Sequence, residues 1–278
     1  MLGNMQPVAI NTFQDTVLTH YRQHGRHDLP WRVPRADGSF DPYHILVSEI
    51  MLQQTQVPRV LPKFTAFIAQ FPTIGALAAA PLAEVLKAWA GLGYNRRAKF
   101  LWQAAATVVA RYGGRLPDTQ AELVRLPGIG VNTAGAVMAY AHNKPVIFIE
   151  TNIRTVYIYH FFANQSAVHD KDISDMVAAT LPDDARDWYW ALMDYGTHLK
   201  QTVGNVSRSS AHYTRQSTFA GSRRQLRGQL LRALHDGSRT RAELRQQLPD
   251  DRLDGVLEDL LGEAMISLHA GRYSLHGA

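Results

Sequence analysis

Apolar residues recur every three to four positions along most of the first 200 residues, which is the spacing of helices with one buried face. In the segment 41–57, Pro42 follows the capping residue Asp41, as is typical of a helix start, and a run of apolar residues follows. Proline and glycine separate this segment from similar ones along the chain. We therefore predict an all-α main body.

The pattern changes toward the end of the chain. The run PVIFI at 145–149 could form a strand but has no partner segment nearby, so we interpret it as a buried connector. After Ser222, three amphipathic segments precede two alternating runs around Ala270 and Gly271, which predicts three helices and a hairpin. The predicted organisation is a helical domain over residues 1–216 and a winged-helix-like module over residues 217–278.

Composition narrows the class of protein. Hydrophobic residues make up 46% of the 278-residue chain and charged residues 19%, as in globular domains. No apolar run is long enough for a membrane span and no signal peptide is visible, so we expect an intracellular monomer, cytoplasmic and nucleoid-associated in a bacterium. The absence of cysteine excludes disulfides, zinc–thiolate sites and ordinary iron–sulfur ligation.

Positive charge is concentrated in one stretch of the chain. The net charge is +5, and residues 207–245 hold nine arginines against only two acids, Asp236 and Glu243. Such a stretch is either a solvated surface or a strip that contacts phosphates. The sequence alone leaves both interpretations open.

A Gly-rich turn, LPGIG at 126–130, separates two predicted helices. Backbone amides at the start of the second helix form an anion site, and Gly128 and Gly130 would let a phosphate approach without a Cβ in the way. A turn that serves packing alone is the alternative.

Five segments in order carry a resemblance to a known family. The stretch LPGIGVNTAGAVMAYA (126–141) resembles the helix-hairpin-helix of the endonuclease III/MutY superfamily of DNA glycosylases. The other segments are similar to that superfamily, mainly to its MutY-type adenine glycosylase branch: LPWR (29–32), SEIMLQQTQV (48–57), WAGLGYNRRAKFL (89–101) and IFIETNIRTV (147–156). The resemblance covers about residues 10 to 200. It implies a two-lobed helical HhH-GPD fold and an enzyme that flips a base and cleaves its N-glycosidic bond.

Three positions carry the implied chemistry. Glu49 matches the glutamate that protonates adenine, and its apolar neighbours would raise its pKa; a surface charge beside the core is the alternative. Glu150 stands where the family has aspartate, and it either still stabilises the sugar cation or only caps the helix that begins near Thr151. Asn132 stands where Schiff-base relatives carry lysine, so the resemblance implies hydrolysis by water, without lyase chemistry.

The resemblance also implies contacts with double-stranded DNA that holds a mispaired or damaged base. The hairpin would hold a phosphate through Gly128, Ile129 and Gly130. The duplex would be probed by Gln54, Thr55 and Tyr94. The pocket lining or further contacts with the DNA backbone would come from Arg32, Asn152, Arg154 and Arg208. Tyr94 could instead be a core aromatic, and Trp31 is expected in the core.

Two departures from the family leave the excised base open. Family spacing places iron–sulfur ligands at Lys200, Ser207, Ser210 and Gln216, none of which can hold a cluster. We expect no metal cofactor, with a monovalent cation at the hairpin as the one ion left open. The last 57 residues are also too few for the Nudix-like domain of MutY. Adenine is the first choice; uracil, thymine, an alkylated purine or a catalytically weak lesion-binding protein are the alternatives.

Overall fold

The computed structural model describes residues 7–278, which are mostly helical, as the sequence predicts. Fourteen α-helices lie in this range: α1 Pro7–His24, α2 Pro42–Leu52, α3 Val57–Gln70, α4 Ile74–Ala79, α5 Leu82–Ala88, α6 Arg96–Tyr112, α7 Gln120–Leu123, α8 Val131–His142, α9 Thr151–Phe161, α10 Asp170–Thr180, α11 Ala185–Thr202, α12 Arg223–Ala233, α13 Arg241–Gln247 and α14 Leu253–Gly262. The strands are β1 Arg239–Thr240, β2 Ile266–His269 and β3 Arg272–Leu275. Within residues 7–278, no helix is both long and apolar enough to cross a membrane.

Two helix boundaries differ from the sequence prediction. Asp41 caps α2 as expected, since its carboxylate accepts a hydrogen bond of 2.9 Å from the Tyr43 amide. The helix ends at Leu52, however, and does not continue to 57, because Gln54 adopts a left-handed backbone with φ of 55°. At α7 the sequence predicts Asp118 as the cap, but the cap is Thr119, whose hydroxyl accepts from the Glu122 amide.

The described residues group into two compact units, each built from separate stretches of the chain. Unit 1 comprises residues 1–46, 118–124 and 130–215, of which the first six lie outside the described range. Its core is aromatic: Phe13 meets the rings of Tyr157 and Trp188 edge-on, with centroids 5.5 Å and 5.6 Å apart. Helices α1 and α9 both pack against α11, so α11 is the central helix of this unit.

Unit 2 comprises residues 47–117, 125–129 and 216–278. One part of its core lies where α4 and α5 pack on α6, with Leu77, Leu86 and Leu101 fully buried. The C-terminal residues 216–278 belong to the same compact unit. A domain boundary after residue 216 therefore stays a prediction, since the structure groups residues 216–278 with earlier stretches of the chain.

The C-terminal segment folds as three helices and a small antiparallel sheet with the strand order β1-β3-β2. The predicted hairpin is confirmed: Ile266 pairs with Leu275, and the turn at Ala270 and Gly271 has φ of 48° and 75°. Strand β1 adds a third strand that the sequence pattern did not indicate, because two residues are too few to show an alternation. The element order matches the winged-helix expectation.

Candidate active site and nucleic-acid interface

Glu150 stands at the junction between a buried connector and helix α9. Residues 143–150 form no strand, as predicted, and Phe148 and Ile149 are buried, which fixes the connector to the core of unit 1. Glu150 occupies the N-cap position of α9, with extended φ and ψ of −98° and 165°. Its carboxylate accepts from the amide of Thr151, the first residue of the helix, but makes no standard capping hydrogen bond further into it.

The surroundings of Glu150 favour its protonated form. Burial raises the pKa of the carboxyl above its usual value, and the charges of Arg154 and Lys200 and the amide of Thr151 oppose that rise only in part. A carboxylate kept poorly solvated beside two cations is poised to stabilise positive charge that develops nearby. This is the electrostatic requirement of an oxocarbenium-like transition state.

Asn132 holds the connector in place. Its Nδ2 donates to the Ile149 carbonyl at 3.0 Å, and its Oδ1 accepts from the Ile149 amide at 3.4 Å. The side chain thus binds both backbone groups of the residue that precedes Glu150. The structure assigns Asn132 a positioning role, and its predicted direct catalytic role stays a prediction.

Replacing Asn132 by Ala should slow the reaction more than it destabilises the fold. Loss of two hydrogen bonds, one of them long, costs about 1–2 kcal/mol of stability. Because the carboxylate of Glu150 then loses its fixed position, we expect the single-turnover rate to fall by about tenfold or more. Unchanged single-turnover rates in quench-flow experiments would contradict this role. The matched control is Asn164→Ala, which removes an asparagine side chain from an exposed turn after α9.

Asn152 and Lys200 form a polar pair next to Glu150. The Lys200 ammonium donates to Asn152 Oδ1 at 2.6 Å, which orients the amide. Helix α11 can approach this point because it has Gly196 there: a Cβ at Gly196 would lie 2.5 Å from the Asn152 carbonyl oxygen. Sequence reasoning named Lys200 only as a position of a missing cluster ligand. The available signal in the sequence was that Lys200 follows Gly196 by four residues, which places the two on the same side of helix α11.

Two arginines predicted to contact DNA or the pocket are held in ion pairs of unit 1. Arg154 donates to both carboxylate oxygens of Asp170 at 2.8 Å. Arg32 is only 7% exposed, donates to Asp194 at 2.8 and 3.0 Å, and lies over the Trp190 ring. The guanidinium of Arg32 is thus buried and paired, and its predicted place in the pocket or on DNA stays a prediction. Trp31, at 4% exposure, lies in the core as expected.

Glu49 lies near the end of α2 in unit 2. Its neighbours Val47, Ser48 and Ile50 are buried, while Glu49 itself is half-buried. The predicted apolar surroundings of its carboxyl group stay a prediction. Its assignment as the general acid stays a prediction.

The hairpin turn uses its two glycines differently. Gly128 has φ of 74°, and a Cβ there would lie 2.5 Å from the Phe100 Cβ, so both conformation and packing require glycine. Gly130 has an ordinary φ of −86° and open space around the Cβ position, so no packing within the described residues explains it. Ile129 is buried and its amide donates to the Leu126 carbonyl, and its predicted phosphate contact stays a prediction. The amides that follow Gly130 begin α8 and need acceptors from outside the helix.

Arg97 is a functional residue that sequence reasoning missed. It is 9% exposed, and it joins the loop after α2 to the loop before α6 by donating to both. Burial lowers its pKa to about 10, so it stays charged at neutral pH. Its acceptors, at 2.6 to 3.2 Å, are the carbonyls of Ile50, Met51, Gln53, Leu92 and Gly93 and the hydroxyl of Thr55. Thr55, predicted to probe DNA, is therefore a link between the two loops.

The two loops present Gln54 and Tyr94 in strained backbone conformations. Their φ angles are 55° and 48°, which non-glycine residues rarely adopt. Gln54 is exposed and Tyr94 is half-buried, so Tyr94 is not the core aromatic of the alternative interpretation. Arg224 lies over the Tyr94 ring, 4.7 Å from its centroid, and both Arg224 and Gln216 donate to the Tyr94 hydroxyl. Residues from the C-terminal segment thus contact Tyr94 from two sides of its side chain, the ring face and the hydroxyl.

The positions that family spacing assigns to cluster ligands do not fit an iron–sulfur cluster. Ser207 and Ser210 are buried, and their hydroxyls pair with Asn205 and with the His212 amide. A backbone bridge between Val168 and Ser210 fastens this stretch, and Arg208 is exposed beside it. Such clusters are held by cysteine thiolates, and hydroxyl groups engaged in hydrogen bonds cannot take their place. Over residues 7–278, no group of three or more potential ligands could hold a metal ion.

Comparisons with known proteins identify the family of this chain. Residues 47–176 match the family model described as HhH-GPD superfamily base excision DNA repair protein. The chain is 38% identical to the adenine DNA glycosylase of Mycolicibacterium smegmatis, over 94% of this chain and 95% of that protein. It is 36% identical to the adenine DNA glycosylase of Mycobacterium tuberculosis strain H37Rv, over 95% and 93% of the two chains.

A solved structure supports the same fold. A thermostable thymine-DNA glycosylase superposes with a TM-score of 0.60 and 29% identity, covering 68% of this chain and 86% of that chain. The sequence matches extend over nearly the whole chain, beyond the region that the family model covers. The chain therefore belongs to the HhH-GPD superfamily of base excision DNA repair proteins.

Proposed function

We propose that this protein is an adenine DNA glycosylase that hydrolyses the N-glycosidic bond of a flipped base. The observation that carries the proposal is the 38% identity to an adenine DNA glycosylase over 94% of the chain. About 17 residues remain outside that match, fewer than the 62 residues after position 216, so the match includes most of the C-terminal segment. The relative named as an adenine DNA glycosylase is thus matched over its C-terminal part as well as over the helical domain.

In the proposed reaction, Glu49 donates a proton to the leaving base and Glu150 stabilises the cation that forms on the sugar. Asn132 fixes the backbone next to Glu150, and Lys200 orients Asn152 beside it. The glycosidic bond breaks as the base takes this proton, water then adds to C1′ of the sugar cation, and the water loses a proton to the Glu150 carboxylate, from which it returns through solvent to Glu49. An abasic sugar in an intact strand is the product.

We propose further that no amine of the protein attacks the sugar. Asn132 carries an amide, which cannot form a Schiff base, and Lys144, the lysine nearest to it in sequence, is exposed after α8. Lys200 is the amine beside Glu150, and its ammonium is engaged with Asn152. Borohydride should therefore trap no covalent complex with substrate DNA. A trapped complex that disappears in Lys200→Met would overturn this part of the proposal.

The substrate is tested by base release from a panel of duplexes. The panel contains adenine opposite 8-oxoguanine or guanine, thymine or uracil opposite guanine, and alkylated purines, each followed by alkali. We expect strand breaks after alkali from the adenine duplexes only. Release of thymine instead would favour the second candidate, which rests on the structural likeness to a thymine-DNA glycosylase.

A further inference from the structure

A cavity of about 580 Å³ in unit 2 brings the hairpin turn, the probe loops and the C-terminal segment together. Gly128, Gln54 and Tyr94, all predicted to contact DNA, lie in its lining. Arginines contribute much of the remaining lining: Arg96 and Arg97 from α6, and Arg223, Arg224 and Arg227 from α12. Positive charge is thus gathered where the sequence predicts nucleic acid.

Two acidic residues of α14 and its end neutralise this charge. Glu263 accepts from Arg96 at 2.6 Å and from Arg227 at 2.5 Å, and Asp259 accepts from Arg223 at 2.7 Å. Burial alone would raise the pKa of Glu263, but Arg96 and Arg227 lower it below its usual value, so it is ionised at neutral pH. The two carboxylates hold the arginines as phosphates would.

Two of these ion pairs present exposed arginines to a competing anion. The side chains of Arg96 and Arg223 are 64% and 49% exposed, and Asp259 is 41% exposed, whereas Arg227 and Glu263, at 18% and 14%, are largely buried. Exposed pairs of this kind are weak, because water and salt screen them. A chain of DNA phosphates presents the same charge and hydrogen-bond acceptors at much higher density.

We propose that Arg96, Arg223 and Arg227 form a site for phosphodiester groups of DNA, and that Asp259 and Glu263 occupy it until DNA displaces them. This inference rests on the proposed function in that DNA is the partner. It assigns the C-terminal segment two tasks: α12 supplies phosphate contacts, and α14 weakens binding to any DNA that cannot compete for the arginines. The protein therefore binds more tightly to DNA whose phosphates displace Asp259 and Glu263 from the arginines than to DNA whose phosphates do not.

The test is binding of the full chain to an undamaged duplex across a series of salt concentrations, because phosphate contacts do not depend on sequence. Asp259→Asn/Glu263→Gln should bind about threefold to tenfold more tightly than the wild type, with a steeper dependence on salt. The matched control is Asp251→Asn/Glu258→Gln, which changes the net charge equally at two exposed positions outside the cavity lining. An equal gain in both double variants would overturn the proposal.

A second variant tests the arginines directly. Arg223→Gln should weaken binding and reduce the slope of log affinity against log salt by about one, the loss of a single phosphate contact. Arg245→Gln removes an exposed arginine of α13 that is paired with Asp254 of α14, and it should leave that slope unchanged. An unchanged slope in Arg223→Gln would contradict the site. Base release by the wild type is measured in parallel, so a failure of the proposed function is seen separately.

Discussion

Glu150→Gln should reduce base release by about 10²- to 10⁴-fold in single-turnover experiments, while duplex binding stays close to that of the wild type. The amide keeps the size of the side chain but loses the negative charge that stabilises the sugar cation. Glu258→Gln, at an exposed position of α14, is the control for a glutamate-to-glutamine change elsewhere. A Glu150→Gln variant that releases base at the wild-type rate would falsify the assignment.

The same variant should be more stable than the wild type at neutral pH. Burial raises the pKa of Glu150 in the folded protein, so the folded state binds more protons than the unfolded state between the two pKa values. Stability therefore falls as pH rises through that interval and stays lower above it, and Gln escapes this cost. We expect a Tm higher by a few degrees, since about 1 kcal/mol shifts the Tm of a chain this size by about 2–4 °C.

The raised pKa also predicts the acidic limb of the reaction. Base release requires ionised Glu150, so its rate should rise with pH through the pKa of Glu150, which lies above the usual value of 4.5. Glu150→Asp restores the family's residue with a side chain one methylene shorter. It should keep the pH limb and most of the activity, within about tenfold. An Asp variant as inactive as the Gln variant would mean that side-chain length, and not charge, is decisive here.

Arg97→Met should cause the largest loss of stability, about 3–5 kcal/mol. The substitution leaves a cluster of inward-facing carbonyls without a donor, and water cannot replace a buried guanidinium that serves two loops. Chemical denaturation of the variant, compared with Arg111→Met at an exposed position of the same helix, measures the effect. A loss below about 1 kcal/mol would show that the loops hold themselves.

Arg97→Lys separates folding from positioning. Lysine restores the charge but offers three donors without the planar fork, so it cannot serve both loops at once. We expect a folded protein in which Gln54 and Tyr94 are less ordered and the affinity for a duplex is reduced. An affinity equal to that of the wild type would limit Arg97 to a structural role.

Much of the fold follows from the sequence because it depends on local rules. The hairpin turn, the cap at Asp41 and the C-terminal helices and hairpin each have a pattern readable within a few residues. The left-handed conformations of Gln54 and Tyr94 have no such pattern. Arg97 donates to the Gln53 carbonyl beside Gln54, from 44 residues later in the chain, and to the Gly93 carbonyl beside Tyr94. A sequence pattern treats such an arginine as a solvated charge.

The candidate site, too, could be predicted from the sequence only in part. The resemblance pointed to Glu49, Glu150 and Asn132, and the structure adds what surrounds two of them: Asn132 binds the Ile149 backbone, and Lys200 lies beside Glu150. The motif around Arg32 does not reveal that Asp194, 162 residues later, pairs with it. Pairings across such separations are invisible to spacing arguments within one sequence.

Each unit is built from separate stretches of the chain, and this affects how the protein folds during its synthesis. Unit 2 opens at residue 47 but lacks its final stretch until residues 216–278 have left the ribosome. At about 5–20 residues per second, synthesis from residue 117 to residue 278 takes roughly eight to thirty seconds, and during that time the first part of unit 2 is without its last part. Shortening it from the C-terminal end would remove part of a folding unit, not an appendage.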